Sequence, residues 1–214
     1  MDFEIPEPVD HLVHLVLRDF DGDGLADLFA GKRVVQEKAV VNDKNQYQFY
    51  GNTGGGFPLL PDQTFILKNY DQPEILDLDG DGRLDLVTGY FELSLGNIVK
   101  ALLTRRLGID LSFFLRDEDG YPHRPREERT FKIHISLSNL DENFFPAVVI
   151  DGDFDGDGRK DFLVQTADRE VAIYPGTTAD GGLYADDPGR ELETWATESC
   201  TAKDLDGDGR TDLA

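Results

Sequence analysis

Four copies of one carboxylate pattern, D-x-D-G-D-G-x-x-D, are the part of this chain best suited to chemistry. The copies begin at Asp19, Asp77, Asp153 and Asp204, and an apolar residue follows each one directly. Carboxylates at positions 1, 3, 5 and 9 and the carbonyl of position 7 can surround one point when the backbone curls tightly, which the glycine at position 6 permits. Because such oxygen ligands suit hard cations, the pattern predicts metal sites.

Calcium is the expected ion at these sites. With one or two waters, each loop offers the ~6 to 8 oxygens that calcium prefers, whereas magnesium requires a stricter octahedron. The sequence therefore predicts up to four calcium ions, one in each loop. The predicted ligands are Asp19, Asp21, Asp23, Leu25 and Asp27 in the first loop; Asp77, Asp79, Asp81, Arg83 and Asp85 in the second; Asp153, Asp155, Asp157, Arg159 and Asp161 in the third; and Asp204, Asp206, Asp208, Arg210 and Asp212 in the fourth.

Three alternatives to this interpretation are weakened by the sequence. A single acidic run is compatible with an ordinary turn, because Asp and Gly favour turns, but four copies with identical spacing argue against that reading. An EF-hand needs a Glu at position 12, where the copies that reach it carry Ala30, Thr88 and Val164. The lone Cys200 excludes a disulfide-stapled calcium array.

The segments around the loops have the character of short β-strands. Apolar and β-branched residues dominate positions 12–17 and 147–150, which precede the first and third loops. Positions 85–89 and 161–164, which follow the second and third loops, are similar. We therefore expect each loop to lie at the tip of a β-hairpin.

The four loops, with a looser second element, resemble the FG-GAP/VCBS repeat family of calcium-loop β-propellers related to the integrin α-subunit head. The second element is a strand that runs into a Gly-rich turn and an aromatic residue. It occurs at residues 47–57, 113–121 and 171–184. The resemblance implies an all-β fold in which repeated blades carry calcium-binding hairpin loops.

The spacing of the loops suits one four-stranded blade per repeat. Loop starts are 58, 76 and 51 residues apart, and on that period the chain holds about three and a half blades, fewer than the 4 to 8 of typical closed propellers. We therefore expect residues 1–214 to form one incomplete propeller of about three to four blades, a segment of a larger one. Unpaired strand edges would permit self-association.

The 76-residue spacing predicts an insertion at about residues 92–130. Apolar residues at 98, 99, 102, 103 and 107 predict a short amphipathic helix over residues 97–107, with Gly108 as its left-handed C-terminal cap. The helix is expected to plug one face of the propeller, or alternatively to bind a partner. Pro58 and Pro61 predict the crossing from the first blade to the second.

The formal charge of -22 comes mostly from the predicted metal loops. Sixteen of the 43 acidic residues are predicted ligands, and without them the charge is -6. No basic stripe is present to displace phosphate counterions, which disfavours nucleic acid and anionic membrane surfaces as partners. No stretch approaches 18 apolar residues, so membrane insertion is not expected, and residues 1–6 lack the features of a secretory signal.

The motifs that mark common enzymes are absent from the sequence. There is no G-x-S-x-G elbow, H-E-x-x-H helix or P-loop, and His11 and His14 fall on opposite faces of a strand. We therefore predict no catalytic residues and no organic cofactor. Calcium loops of this kind function where calcium is millimolar, which favours an extracellular, periplasmic or cell-surface location.

These observations favour a calcium-stabilised, non-catalytic scaffold for recognition or adhesion. The family resemblance implies that its partner is another protein or a polysaccharide. The alternative is the propeller portion of a secreted polysaccharide-active or phosphoester-cleaving enzyme. A calcium sensor is disfavoured because the loops lack the flanking helices that convert ion binding into an opened groove.

Overall fold

The fold is a series of antiparallel sheets arranged in the order of the chain. The computed structural model describes residues 12–34, 44–69, 72–90, 94–134, 148–167, 169–178, 182–193 and 202–213. These ranges form three four-stranded sheets and one two-stranded sheet, in each of which sequential strands are neighbours. The predicted all-β class with blade-like sheets is confirmed. Cys200 lies outside the described residues.

The strands of each sheet follow one another as a simple meander. The first sheet contains β1 (Leu12–Arg18), β2 (Asp27–Arg33), β3 (Lys44–Tyr50) and β4 (Gln63–Lys68). The second contains β5 (Glu74–Leu76), β6 (Asp85–Tyr90), β7 (Arg106–Phe114) and β8 (Glu127–His134). The third contains β9 (Val148–Gly152), β10 (Asp161–Ala167), β11 (Glu170–Tyr174) and β12 (Arg190–Glu193), and the two-stranded sheet contains β13 (Ala202–Lys203) and β14 (Asp212–Leu213).

Each carboxylate loop joins the first two strands of its sheet, as the sequence predicts. The paired residues nearest the loops include Arg18 with Asp27 and Leu76 with Asp85. The glycine at position 6 has a φ of 86° or 87° in all four loops. This left-handed conformation favours glycine. The glycine at position 6 therefore supplies the backbone conformation that the tight hairpin tip requires.

The sheets pack face to face through layers of aromatic side chains. Phe29 and Tyr47 of the first sheet share a buried cluster with Leu86 and Phe114 of the second. Between the second and third sheets, the rings of Phe131 and Phe162 lie 4.4 Å apart between centroids. Burying one such ring contributes about 1.5–3 kcal/mol, so these layers supply much of the cohesion between neighbouring sheets.

The predicted blade crossing at Pro58 and Pro61 is wrong. Both prolines lie in the turn between β3 and β4, which pair with each other in the first sheet. The fourth strand forms there because Phe65 and Leu67 pack into the same cluster as Tyr47. The chain therefore leaves the first sheet after Lys68 rather than at the prolines.

The predicted helix is present, but its cap and limits differ from expectation. Helix α1 spans Leu95–Thr104, its N-cap Ser94 accepts a hydrogen bond from the Asn97 N–H, and Arg105 is the left-handed C-cap with a φ of 52°. Gly108 is not the cap, because it lies inside β7 opposite Lys132.

The helix occupies only part of the predicted insertion. Residues 106–114 and 127–134 are the third and fourth strands of the second sheet. Leu107 is buried in the core there as a strand residue and not on a helix. Across the described ranges, no helix has the length and apolar character needed to cross a membrane.

Candidate metal centres

Three aspartates converge at the tip of each metal loop, those at positions 1, 3 and 9. One carboxylate oxygen from each lies within 4.8 Å of the others. Positions 1 and 3 come from the loop, and position 9 comes from the start of the second strand. The four triads are Asp19, Asp21 and Asp27; Asp77, Asp79 and Asp85; Asp153, Asp155 and Asp161; and Asp204, Asp206 and Asp212.

The position-1 carboxylate closes each loop by accepting hydrogen bonds from both loop glycines. In the second loop the Gly80 N–H donates to Asp77 Oδ1 at 2.8 Å and the Gly82 N–H donates to Oδ2 at 2.9 Å. The other three loops repeat both bonds. Since an ionised carboxylate has about four lone-pair sites, these bonds orient the group and leave further acceptor capacity for a cation.

The aspartates at position 5 do not join the triads. Asp81 Oδ1 accepts a 2.8 Å hydrogen bond from the Arg83 N–H, and Asp81 Oδ2 lies 2.7 Å from Arg83 Nη1. Asp23, Asp157 and Asp208 bind the N–H of their own position-7 residues, Leu25, Arg159 and Arg210. The structure therefore brings together three of the four predicted carboxylates in each loop and uses the fourth to shape the turn.

In the first three loops, the position-9 aspartate anchors the loop to a distant part of its sheet. Asp85 accepts a hydrogen bond from the Leu78 N–H at one oxygen and from the Arg116 N–H at the other, both at 2.8 Å. Asp27 and Asp161 do the same through Asn52 and Gly176, whereas Asp212 accepts from the Leu205 N–H. Asn52, Arg116 and Gly176 each lie two residues beyond a third strand, a register that sequence reasoning missed.

Burial changes the acid–base behaviour of the triads. Burial raises the pKa of Asp85 to about 7, although the hydrogen bonds from the Arg116 and Leu78 N–H groups lower it. Burial also raises the pKa values of Asp27, Asp79 and Asp161, and neighbouring aspartates add to each shift. A cation beside these carboxylates would favour their charged forms.

The donor set fits a hard metal ion. Every triad offers carboxylate oxygens alone, which suit calcium or magnesium better than softer transition metals. The loops also hold these oxygens close together through backbone hydrogen bonds. The four triads could therefore each hold a metal ion.

A comparison with protein families agrees with this architecture. A profile of the FG-GAP-like repeat matches residues 19–88 and 153–214, which is more than half of the chain. Among solved structures, the chain is similar to the crystal structure of the exotype rhamnogalacturonan lyase YesX, with a TM-score of 0.49 and 14% identity. That similarity covers 95% of this chain but 38% of the lyase chain. None of the curated proteins compared matches the chain.

Proposed function

Since the chain belongs to the FG-GAP-like repeat family, we propose that it is a calcium-stabilised β-propeller segment serving as a non-catalytic recognition scaffold. Its ligand is a protein or a carbohydrate met in an extracellular, periplasmic or cell-surface location, where calcium is abundant. The observation that carries the proposal is the recurrence of one aspartate triad at four hairpin tips.

Calcium is the ion that we assign to the triads. The position-1, position-3 and position-9 carboxylates supply its core ligands, with the position-7 carbonyl, the position-5 carboxylate and water completing a set of ~6 to 8 oxygens. A bound ion would offset the repulsion among three neighbouring carboxylates. The role of each site is therefore to fix the angle of its hairpin.

The size of the expected stabilisation supports a structural role for calcium. A site with a dissociation constant near ~10 μM gains about 2.7 kcal/mol at ~1 mM calcium. Four independent sites would contribute about 11 kcal/mol, comparable with the ~5–15 kcal/mol that stabilises a whole domain. A contribution of this size to the free energy of unfolding determines whether the domain folds.

The hydrogen bonds that the triads accept also support a structural role for these carboxylates rather than a catalytic one. In the second loop, Asp77, Asp79 and Asp85 each accept at least one hydrogen bond from a backbone N–H. A general acid or base must exchange its proton with a substrate, whereas these carboxylates are held by the fold. Their arrangement suits stationary ligands.

Exposed apolar side chains support a role in association. Six large ones lie on the first sheet or in its β3–β4 turn: Leu15, Leu17, Phe57, Leu59, Leu60 and Ile66. In the second sheet, Leu86 and Phe114 occupy the positions of Leu28 and Tyr50 and are buried against the first sheet. The exposed face of the first sheet can therefore pack against another blade, including one from a second copy.

Two linked experiments test the proposed function. Calorimetric titration of calcium-free protein should show calcium uptake that Asp85→Asn reduces by one site. Asp187→Asn, which changes an exposed aspartate between β11 and β12, should retain full uptake. Binding to immobilised glycans and candidate proteins should then require calcium and disappear with chelator, whereas binding that is equal in both buffers contradicts the scaffold proposal.

A further inference from the structure

A cavity of about 530 Å³ opens between the first and second sheets, at the end that carries the metal loops. Its walls come from Asp21, from the β3–β4 turn with Phe57, from Asp62 and Gln63, and, in the connection between β7 and β8, from Arg116, Glu118, Asp119 and Gly120. This volume lies within the ~300–1,000 Å³ range of small-molecule sites. The cavity is large enough for one or two sugar rings.

Arg116 lines this cavity with unused hydrogen-bonding capacity. Its side chain is buried, at 8% exposure, and its Nε and Nη1 atoms have no hydrogen-bond partner in the described part of the chain. The guanidinium is held over the ring of Phe49 at 4.2 Å and near that of Tyr121 at 5.1 Å. Buried N–H groups are nearly always hydrogen-bonded in native proteins. Because these two atoms have almost no exposed surface, a small rotation of the side chain toward the cavity would bring them to an acceptor oxygen of a ligand or water.

The charge of the cavity favours a neutral ligand. Among the described residues that line it, the carboxylates of Asp62, Glu118 and Asp119 outnumber the cation Arg116, whereas the Asp21 carboxylate is assigned to the calcium of the first loop. An anionic ligand would meet net repulsion from these carboxylates. A ligand rich in hydroxyl groups would instead donate hydrogen bonds to the carboxylates and offer its own oxygens to the guanidinium.

An exposed aromatic ring completes the lining. Phe57 is 45% exposed, whereas the turn aromatics of the second and third sheets, Tyr121 and Tyr184, are 5% and 3% exposed. The ring of Phe57 therefore offers an apolar surface that its counterparts do not. The C–H face of a sugar ring suits such a surface.

We propose that this cavity binds a neutral carbohydrate. Arg116 binds an oxygen of the sugar, Asp62 and Asp119 accept its hydroxyl hydrogens, and Phe57 contacts its apolar face. The proposal rests on the recognition function above and specifies the ligand class and the site. The proposal also predicts that neutral sugars bind more tightly than acidic sugars, because the carboxylate of a uronate would lie close to the acidic side chains of the cavity.

The test is a nuclear magnetic resonance titration of the calcium-loaded chain with cellobiose, mannobiose or lactose, compared with digalacturonate. At least one neutral disaccharide should shift the Arg116 Nε–H resonance, which is identified by its loss in Arg116→Lys. Digalacturonate should bind at least about tenfold more weakly because like charges are brought together. Preference for digalacturonate, or an unchanged Arg116 resonance with all three neutral sugars, would overturn the proposal and indicate that water satisfies the guanidinium.

Two aspartate variants form the matched comparison. Asp119→Asn should weaken binding of the neutral sugar about tenfold, because a charged acceptor is lost, and should leave the unfolding midpoint unchanged. Asp187→Asn alters an exposed turn aspartate that does not line the cavity and should leave binding unchanged. Failure of sugar binding in a protein that calcium still stabilises overturns this site alone, whereas loss of the calcium effect overturns the scaffold proposal.

Discussion

The backbone N–H of Arg116 donates a 2.8 Å hydrogen bond to Oδ1 of Asp85, which lies 31 residues earlier in the chain. The other oxygen of Asp85 accepts from the Leu78 N–H at 2.8 Å. This buried side chain therefore forms one hydrogen bond within the second metal loop and another to the turn that follows β7. The position-9 aspartates are therefore structural anchors as well as candidate metal ligands.

Replacing Asp85 should damage the fold even without calcium. In Asp85→Asn, the amide presents one N–H₂ group where the carboxylate had an acceptor, so one buried backbone N–H loses its partner. We expect the calcium-free protein to lose about 2 kcal/mol of unfolding free energy, measured by urea denaturation. Unchanged calcium-free stability would contradict the anchoring role.

Asp81 provides the contrasting substitution within the same loop. Its carboxylate is partly exposed and binds the Arg83 N–H in the turn instead of joining the triad. We expect Asp81→Asn to change the calcium-free unfolding free energy by less than about 1 kcal/mol. It should still weaken calcium binding in a calorimetric titration, and a larger stability loss than that of Asp85→Asn would reverse the assigned roles.

The stability of the calcium-free protein should fall as pH rises. Burial raises the pKa of Asp85 to about 7 from an ordinary value of 3.8, so the folded state binds this proton more tightly than the unfolded state does. The resulting stability is fully present below the ordinary pKa and is lost as pH rises through about 7. Urea denaturation in calcium-free buffer should therefore give lower unfolding free energies at about pH 8 than at about pH 5.

Two controls test whether Asp85 causes this pH dependence. Asp85→Asn should show a flatter profile, because its amide does not titrate in this range. Saturating calcium should oppose the trend, since calcium binds the ionised carboxylates and loses affinity as they are protonated. Calcium-free stability that increases from acid to alkaline pH would show that the buried carboxyl is not the controlling group.

Arg116 should also stabilise the contact between the first two sheets. Its guanidinium lies 4.2 Å from the ring centroid of Phe49, and desolvated contacts of this kind contribute about 1–2 kcal/mol. A double-mutant cycle with Arg116→Met and Phe49→Leu should give a coupling free energy of about 1 kcal/mol. Additive effects would show that the ring and the cation act independently.

Gln63 should be sensitive to loss of its amide. Its Oε1 accepts from the Tyr121 N–H at 2.8 Å and its Nε2 donates to the Tyr121 carbonyl at 3.2 Å, which joins the first sheet to the second. We expect Gln63→Met to cost about 1–3 kcal/mol in chemical denaturation. Thr64→Val, at the exposed neighbouring position, should cost less, and equal losses would point to strand propensity instead.

The metal loops could be predicted from the sequence because they are local. Positions 1, 3 and 9 lie within nine residues, and the same residues that supply the triad also determine the turn. The hairpin placement followed from apolar strands on either side. The sequence could not show which aspartates join the triads and which shape the turn. Asp81 and Asp85 are both aspartates, and they differ only in the groups that they contact in the folded protein.

Features that depend on contacts between distant segments were missed. The apolar pattern through Leu107 fits a helix as well as a strand, and only its pairing with Ile133 of β8 distinguishes the two. Likewise, nothing near Gln63 in the sequence indicates Tyr121 as its partner. The prolines suggested a crossing because they interrupt strands, although the strand that follows them pairs back onto β3.

The central claim, that calcium is a folding ligand of this chain, is tested most directly by thermal unfolding in ~1 mM calcium and in chelator. Four occupied triads should raise the unfolding midpoint by more than about 10 °C, since each kcal/mol shifts a domain of this size by about 2–4 °C. Asp85→Asn should show a smaller rise than the unaltered protein. Equal midpoints in calcium and chelator would contradict the account.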